Sequence, residues 1–397
     1  MKNFVFKRLI NDSKDNIRDV TIPPYSALGS VINPDTSGRE SKMVIFLGSD
    51  FKNIPGVNVK EFAKIQNLCL DYVRRECRGY DLRYKPHPAE TDEASLMDLS
   101  GFKIESKILA EIFYFKNARK IKYVFAAFSY GNIAAYDSGF NSYMFFDLFR
   151  NAIDEPTFSG FKKYFSKIPK ECFINSFSQV LKENRKNINN DGTLEKNMRE
   201  IFLKKDGDVW LSIADTSAIV DILTVASLAK KINPSRNINL IIADHHRWAT
   251  VPIEDIKEYF DKIIIVPRAF RSMRPARIIK AVKAARMIKK LSLKPEDIII
   301  GSGSFATNCL ASYFPSNIKV FLTSRDSFSL ICEGRVFSGS NFRTRPGFIF
   351  FSRVVEPLLG VERAIFLEHK QRVHNVGRFT RPINDIFDYV WVHPTVL

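Results

Sequence analysis

MVIFLGSD (43–50), VKEFAKIQNLCLDYVRREC (59–77) and LRYKPHP (82–88) follow one another along the chain. The first opens on a continuous apolar run too short for a helix, as expected of a strand covered on both faces. In the second, Phe62, Ile65, Cys69, Tyr72 and Val73 keep helical spacing and define one packed face. The third is a short strand feeding a loop. The alternation then repeats: a helix near 106–118, the strand KYVFAAFS (122–129), a small-residue helix GNIAAYDSG (131–139) and SYMFFDLF (142–149). Strands alternating with helices predict parallel β/α units.

A second such series begins at Asp208, with DVWLSIAD, a helix through SAIVDILTVASLAKK, NLIIADHH, DKIIIVP, a long helix, DIIIGSGS and KVFLTSRD. Two series in 397 residues suit two domains. The predicted class is α/β, with two Rossmann-like domains facing a cleft. The expected division is an irregular arm over 1–41, a first α/β domain over 42–165, a helical linker over 166–205, a second α/β domain over 206–340, and a C-terminal helical segment over 341–397. The polar run NRKNINNDGTLEKN marks a hinge near 182–200.

Sixty basic against 43 acidic side chains leave a net charge of +17. That predicts attraction to polyanions: nucleic acid, anionic lipid, or acidic and phosphorylated sugars. The five cysteines, Cys69, Cys77, Cys172, Cys309 and Cys332, form no CxxC pair, which argues against a zinc site or a disulfide framework. MKNFVFKRLINDSKD has no apolar stretch of signal-peptide length, and no run nears the ~20 apolar residues of a membrane span. The expected location is cytoplasmic, with the chain free or on the inner face of the cytoplasmic membrane.

In parallel sheets ligands bind beyond the carboxyl ends of the strands. YKPHPAE (84–90) lies there. Its prolines keep Lys85 and His87 extended, so a stiff loop aims their side chains. Ser129 opens a helix whose first residues, Tyr130 and Gly131, offer backbone N–H groups to a phosphate. A nearby histidine could bond that phosphate and protonate a leaving oxygen. The plainer alternative makes His87 a turn residue and Ser129 an ordinary N-cap.

The stretch 43–146, about a quarter of the chain, resembles the nucleotide-binding domain of bacterial sialyltransferases and related capsule sugar transferases that use CMP-activated acids. The marks are KPHP with Lys85 and His87, Glu111 in ILAEIF and Ser129 in VFAAFSYG, spaced by 24 and 18 residues, with Glu90 completing an HPxE variant. The resemblance implies a GT-B architecture and a CMP site in which His87 contacts the phosphate and acts as acid, Glu111 holds the ribose, and Ser129 and Gly131 hold the phosphate. Where a serine pair is usual, Tyr130 follows Ser129. The donor domain comes first here, a reversed or circularly permuted order that some bacterial Kdo transferases share. Both Kdo and sialic acid therefore stand as donor sugars.

In the second domain KVFLTSRDSFS resembles the family's segment carrying the general base, and the match falls on Asp326, with Arg325 and Ser327 departing from the pattern. A retaining Kdo transferase would instead need a carboxylate nucleophile, for which Asp215 stands in SIADTS. Each aspartate has an N-cap or turn as its alternative. Asp244-His245-His246 lacks a third metal ligand, and CMP-sugar transfer of this type implies no metal or other cofactor. Backbone amides of Ser302, Gly303 and Ser304 could bind an acceptor's anionic group, or simply make a tight turn.

RAFRSMRPARIIKAVKAARMIKK (268–290) carries nine basic side chains and no acid. Ile278, Ala281, Val282, Ala285 and Ile288 should form its apolar stripe, with Arg277, Lys280 and Lys283 on another side. That side reads as a solvated face or as a docking surface for anionic glycolipid or membrane. Without an RNP motif, zinc finger or clean helix-turn-helix, no nucleic-acid partner is expected. The expected function is transfer of a CMP-activated acidic sugar to an anionic glycan or glycolipid of lipopolysaccharide or capsule. The alternatives are another nucleotide-sugar or polyol-phosphate transferase of envelope polymers, or a non-enzymatic basic membrane- or nucleic-acid-binding protein.

Overall fold

The computed structural model describes residues 17–19, 42–165, 168–185, 192–213, 219–244, 253–269, 273–302, 304–322, 350–365, 380–382 and 386–392. The chain divides into two compact units, Pro23–Asn189 and Met1–Ile22 with Asn190–Leu397. Strand β1 (Ile17–Asp19) belongs to the second unit.

The sheet of the first unit contains β2 (Met43–Leu47), β3 (Asp81–Lys85), β4 (Lys103–Ile104), β5 (Ile121–Ala126) and β6 (Asn141–Met144). All pairings are parallel, in the order β4-β3-β2-β5-β6. The oldest strand in chain order thus lies in the middle, and the chain reverses its direction of growth between β2 and β5. Connections run through α1 (Val59–Glu76), α2 (Ala110–Asn117) and α3 (Tyr130–Asp137), with α4 (Glu155–Tyr164) following the sheet. Helix α1 begins where the Asn58 side chain accepts the Glu61 N–H, and it buries the predicted face of Phe62, Ile65, Cys69, Tyr72 and Val73. Phe62 is fully buried; its ring lies 4.5 Å from Phe51, 4.4 Å from Phe149 and 5.9 Å, edge-on, from Phe128.

Residues 168–185, expected as part of a linker, finish this unit. The Ile174 N–H donates to Met144 O at 2.9 Å, and the Tyr72 hydroxyl to Gln179 O at 2.9 Å. The Asn184 amide accepts from Ser142 N–H and donates back to Ser142 O, at 3.0 and 2.7 Å. One side chain so occupies backbone positions at the outer edge of β6.

The second unit holds β7 (Val209–Ile213), β8 (Ile238–Ala243), β9 (Lys262–Val266), β10 (Ile298–Gly301) and β11 (Ile318–Leu322). A two-strand ladder, β12 (Arg363–Ile365) with β13 (Thr380–Pro382), stands apart, and β14 (Tyr389–Val392) joins the main sheet. Its order is β1-β14-β11-β10-β7-β8-β9, entirely parallel, with the reversal between β7 and β10. The helices are α5 (Thr193–Lys204), α6 (Ile219–Ile232), α7 (Pro275–Lys289) and α8 (Phe305–Tyr313), besides shorter turns. The Asp297 carboxylate joins the starts of β7 and β10, accepting from Asp208 N–H at 2.9 Å and the Trp210 indole N–H at 3.1 Å.

Both sheets are therefore Rossmann-like, as the alternating pattern predicts. The ends of the chain differ from expectation: the lead-in contributes β1 and the C-terminal stretch contributes β14. Both are too short to show a pattern on their own; β14 is defined by its pairing with β11, from Val320 with Tyr389 to Leu322 with Trp391, and β1 by its pairing with β14, from Ile17 with Val390 to Asp19 with Val392. No helix among the described residues is long and apolar enough to cross a membrane.

Phe62→Ala should cost about 3–5 kcal/mol, because three rings lose their common partner and cannot close the space. The measurement is the urea midpoint of the first unit's transition at unchanged slope; a shift under ~1 kcal/mol would show a core that relaxes freely.

Candidate functional site

The strands β2, β3 and β5 of the first unit end level with one another: Leu47 pairs with Lys85 on one side and Ala126 on the other. Just past them the Gly48 N–H donates to Lys85 O at 2.8 Å. Everything that follows these strands emerges at one edge, beside the point where the sheet reverses.

The Lys85–Glu90 loop is braced from within. Glu90, only 2 % exposed, accepts the His87 N–H at 3.0 Å, and the Tyr84 hydroxyl lies 3.0 Å from each of its oxygens. Burial raises the pKa of both groups above their ordinary values. A Cβ on Gly48 would fall 2.3 Å from Glu90 Oε2 and 2.5 Å from the Tyr84 hydroxyl, so glycine alone fits beneath the loop. Glu90, which the sequence pattern groups with the site, is thus the strut of the loop. Lys107 adds a bond to Glu90 O.

Lys85 is 2 % exposed, and its ammonium donates to Pro86 O at 2.7 Å. Burial lowers its pKa to about 8, opposed by the charges of Glu111, Glu90 and Glu105. Burial raises the Glu111 carboxyl, opposed by its own backbone N–H and by Lys85. Each of these opposite charges partly offsets the effect of burial on the other. His87 is half-buried; its Nδ1 accepts the Ala89 N–H at 3.2 Å, which leaves Nε2 to carry the proton of the neutral ring. Burial pushes its pKa down, Asp50 and Glu93 oppose that, and Lys85 adds to it.

Ser129 is the N-cap of α3, and its hydroxyl accepts the Gly131 N–H at 3.1 Å. A Cβ on Gly131 would sit 2.9 Å from Leu47 Cδ1 and 3.5 Å from Ala110 Cβ. The starts of α2 and α3 therefore meet over the end of β2, which brings Glu111, in the first turn of α2, to the edge that holds Ser129. The Tyr114 hydroxyl joins the two helices through Gly131 O at 3.1 Å. Lys85, His87, Glu111, Ser129 and Gly131 gather at one edge of one sheet, and the arrangement offers an anion a lysine, an imidazole and the start of a helix.

The sequence reading missed Ser49, Asp50 and Glu93. Asp50 follows β2 directly, and Glu93 starts a short helical turn after the loop. The available signal was GSD immediately after the run MVIFL. Its weight depends on strand order, because the loop after β2 lies at the reversal.

In the second unit Ser302 N–H donates to Ser212 O at 3.1 Å. Ser304 caps α8 by accepting the Thr307 N–H at 2.9 Å, and Thr307 in turn donates to the Ser212 hydroxyl at 3.1 Å. These are the bonds of a tight strand-to-helix turn. Asp215, Gly303 and Asp326 lie outside the described residues, as do His245 and His246. Among the described residues no cluster of three or more metal-binding side chains occurs.

On α7, Ala281, Ala284, Ala285 and Ile288 are buried. Ile278 and Val282, expected in the same stripe, stand at its margin and are half-buried. With Ile279 and Met287 they line a surface groove of about 420 Å³, flanked by Lys283, Arg286 and Lys290. Ile279 is 65 % exposed. Lys280 and Lys283 are exposed, and Arg277 is half-buried. Compared with protein-family models, curated proteins and solved structures, the chain matches none.

Because folding lowers the Lys85 pKa, the folded chain releases that proton more readily than the unfolded one. The penalty is complete below pH ~8 and is relieved as pH rises toward the unfolded value, a gain of up to about 3 kcal/mol. The difference in unfolding free energy between wild type and Lys85→Met should therefore change by that amount across this window. A difference that stays flat would mean that Lys85 is not a buried cation.

Proposed function

We propose that the chain transfers an acidic sugar of the sialic acid or Kdo kind from a CMP-activated donor, in a GT-B arrangement whose first unit binds the donor. The observation that carries this reading is the gathering of Lys85, His87, Glu111 and Ser129 at the sheet reversal, where the sequence resemblance assigns a CMP site. Lys85 balances the charge of the phosphate, the Ser129 hydroxyl, held by the Gly131 N–H, donates to it, and Glu111 accepts from the ribose hydroxyls.

In the reaction, the bond from the anomeric carbon to the CMP phosphate oxygen breaks, and its electron pair stays on that oxygen. His87 donates a proton there. A bond forms from the acceptor hydroxyl oxygen to the anomeric carbon, and the hydroxyl proton passes to a base, for which the resemblance nominates Asp326; in a retaining version Asp215 would be the nucleophile that first displaces CMP from the anomeric carbon and is then displaced by the acceptor oxygen. The acceptor is an anionic glycan or glycolipid, and the chain works at the inner surface of the cytoplasmic membrane. Exposed Lys280 and Lys283 and the apolar groove beside them support that location.

CMP at 100 times its Kd should stabilise the protein by about 2.7 kcal/mol, and both CMP-sialic acid and CMP-Kdo should be assayed for CMP release. No thermal shift with CMP, alongside a shift with another nucleotide, would move the assignment to a different nucleotide-sugar transferase. His87→Ala should cut turnover by ~10²-fold or more at nearly unchanged melting temperature; full activity would remove His87 from the chemistry. Neutralising Arg277, Lys280 and Lys283 together should weaken binding to anionic vesicles at low salt, by about 1 kcal/mol for each charge that lies near the surface. Unaltered vesicle binding would place the membrane contact elsewhere.

A further inference from the structure

Ala281, Ala284, Ala285 and Ile288 fill the face that α7 turns inward. Ala284, Ala285 and Ile288 belong to one core with Ile241, Val266 and Ile299 of the sheet, and Ala281 to another with Phe351 and Val355. That face already gives the helix its packing. At 3.6 residues per turn Ile279 stands nearly opposite to it, and 65 % of Ile279 is exposed. One exposed isoleucine alone means little. This one shares the outward groove with half-buried Val282 and Met287, and the groove follows the helix for about 18 Å. Lys283, Arg286 and Lys290 line the same groove and are exposed. The helix carries no acid, and no carboxylate among the described residues pairs with these three cations. A solvated face accounts for the cations but not for the apolar strip among them. A second copy of the chain would set the same cations against each other. Nucleic acid would satisfy the cations and leave the strip wet. An anionic bilayer offers phosphates and hydrocarbon side by side.

We infer that α7 meets an anionic bilayer by insertion, with its axis in the membrane plane. Ile279, Val282 and Met287 enter the boundary of the acyl chains, while Lys283, Arg286 and Lys290 reach back to the lipid phosphates on their long stems. The inference rests on the membrane location proposed above and is independent of the donor sugar. It separates two kinds of contact. Cations that merely adsorb to a charged surface let go as salt screens them, whereas buried apolar side chains hold on.

The experiment mixes the full chain with vesicles of equal parts phosphatidylglycerol and phosphatidylcholine, with no sugar or nucleotide present. Part of the binding should persist at about 1 M salt, where the Debye length is ~3 Å. Ile279→Asp should weaken binding about tenfold or more at low and high salt alike. Its melting temperature should hold, because the side chain is exposed. Arg286→Gln with Lys290→Gln should weaken binding at low salt only. With the wild-type signal subtracted, the indole introduced by Ile279→Trp should shift to the blue on vesicles and be quenched by bromine on the acyl chains. Binding that vanishes at ~1 M salt, with that indole unshifted, would overturn insertion and keep the membrane location. No vesicle binding at any salt would end both and leave the face to an acidic protein. A blue shift that grows with protein concentration without vesicles would give the face to a second copy and likewise overturn the inference. None of these outcomes touches the thermal shift with CMP, which tests the donor reading separately.

Discussion

The bond from Gly48 to Lys85 fixes the ends of two parallel strands at one level, and the candidate site depends on that alignment. Parallel strands in register release their chains on one side of the sheet, so residues distant in sequence become neighbours without any dedicated contact. Lys85 and Glu111 then come to the same end of the sheet, where burial lowers the pKa of the one and raises that of the other. The burial of these charges costs stability, as is common where titratable groups gather at functional sites.

Rigidity comes from the loop's own strut. Glu90 grips the His87 backbone and the Tyr84 hydroxyl, and Gly48 leaves no room for the loop to sink. The prolines restrict the backbone before folding, and Glu90 holds the one conformation that remains. An imidazole mounted this way keeps its orientation at little further entropic cost when a ligand arrives.

Much of this was legible in the residues. MVIFL reads as a buried strand because it is apolar throughout, and α1 because its apolar positions recur at 3.6. The proline-flanked loop announces itself. Strand order was not legible, since no local pattern states which strand lies beside which. The reversal between β2 and β5 was therefore hidden, and with it the weight of Ser49 and Asp50. Glu93 was hidden for a related reason: it lies more than forty residues after Asp50, and only the pairing of β2 with β3 brings the loops that carry them to one end of the sheet. Strands β1 and β14, of three and four residues, are defined by pairing with strands distant in sequence and by nothing local.

The Asn184 amide at β6 has a consequence for life in a crowded cell. An outermost strand ordinarily presents a comb of free amides and carbonyls that a foreign chain can zip onto. Here a single asparagine already sits in that seat, so the smaller unit offers little purchase there for runaway stacking into fibres.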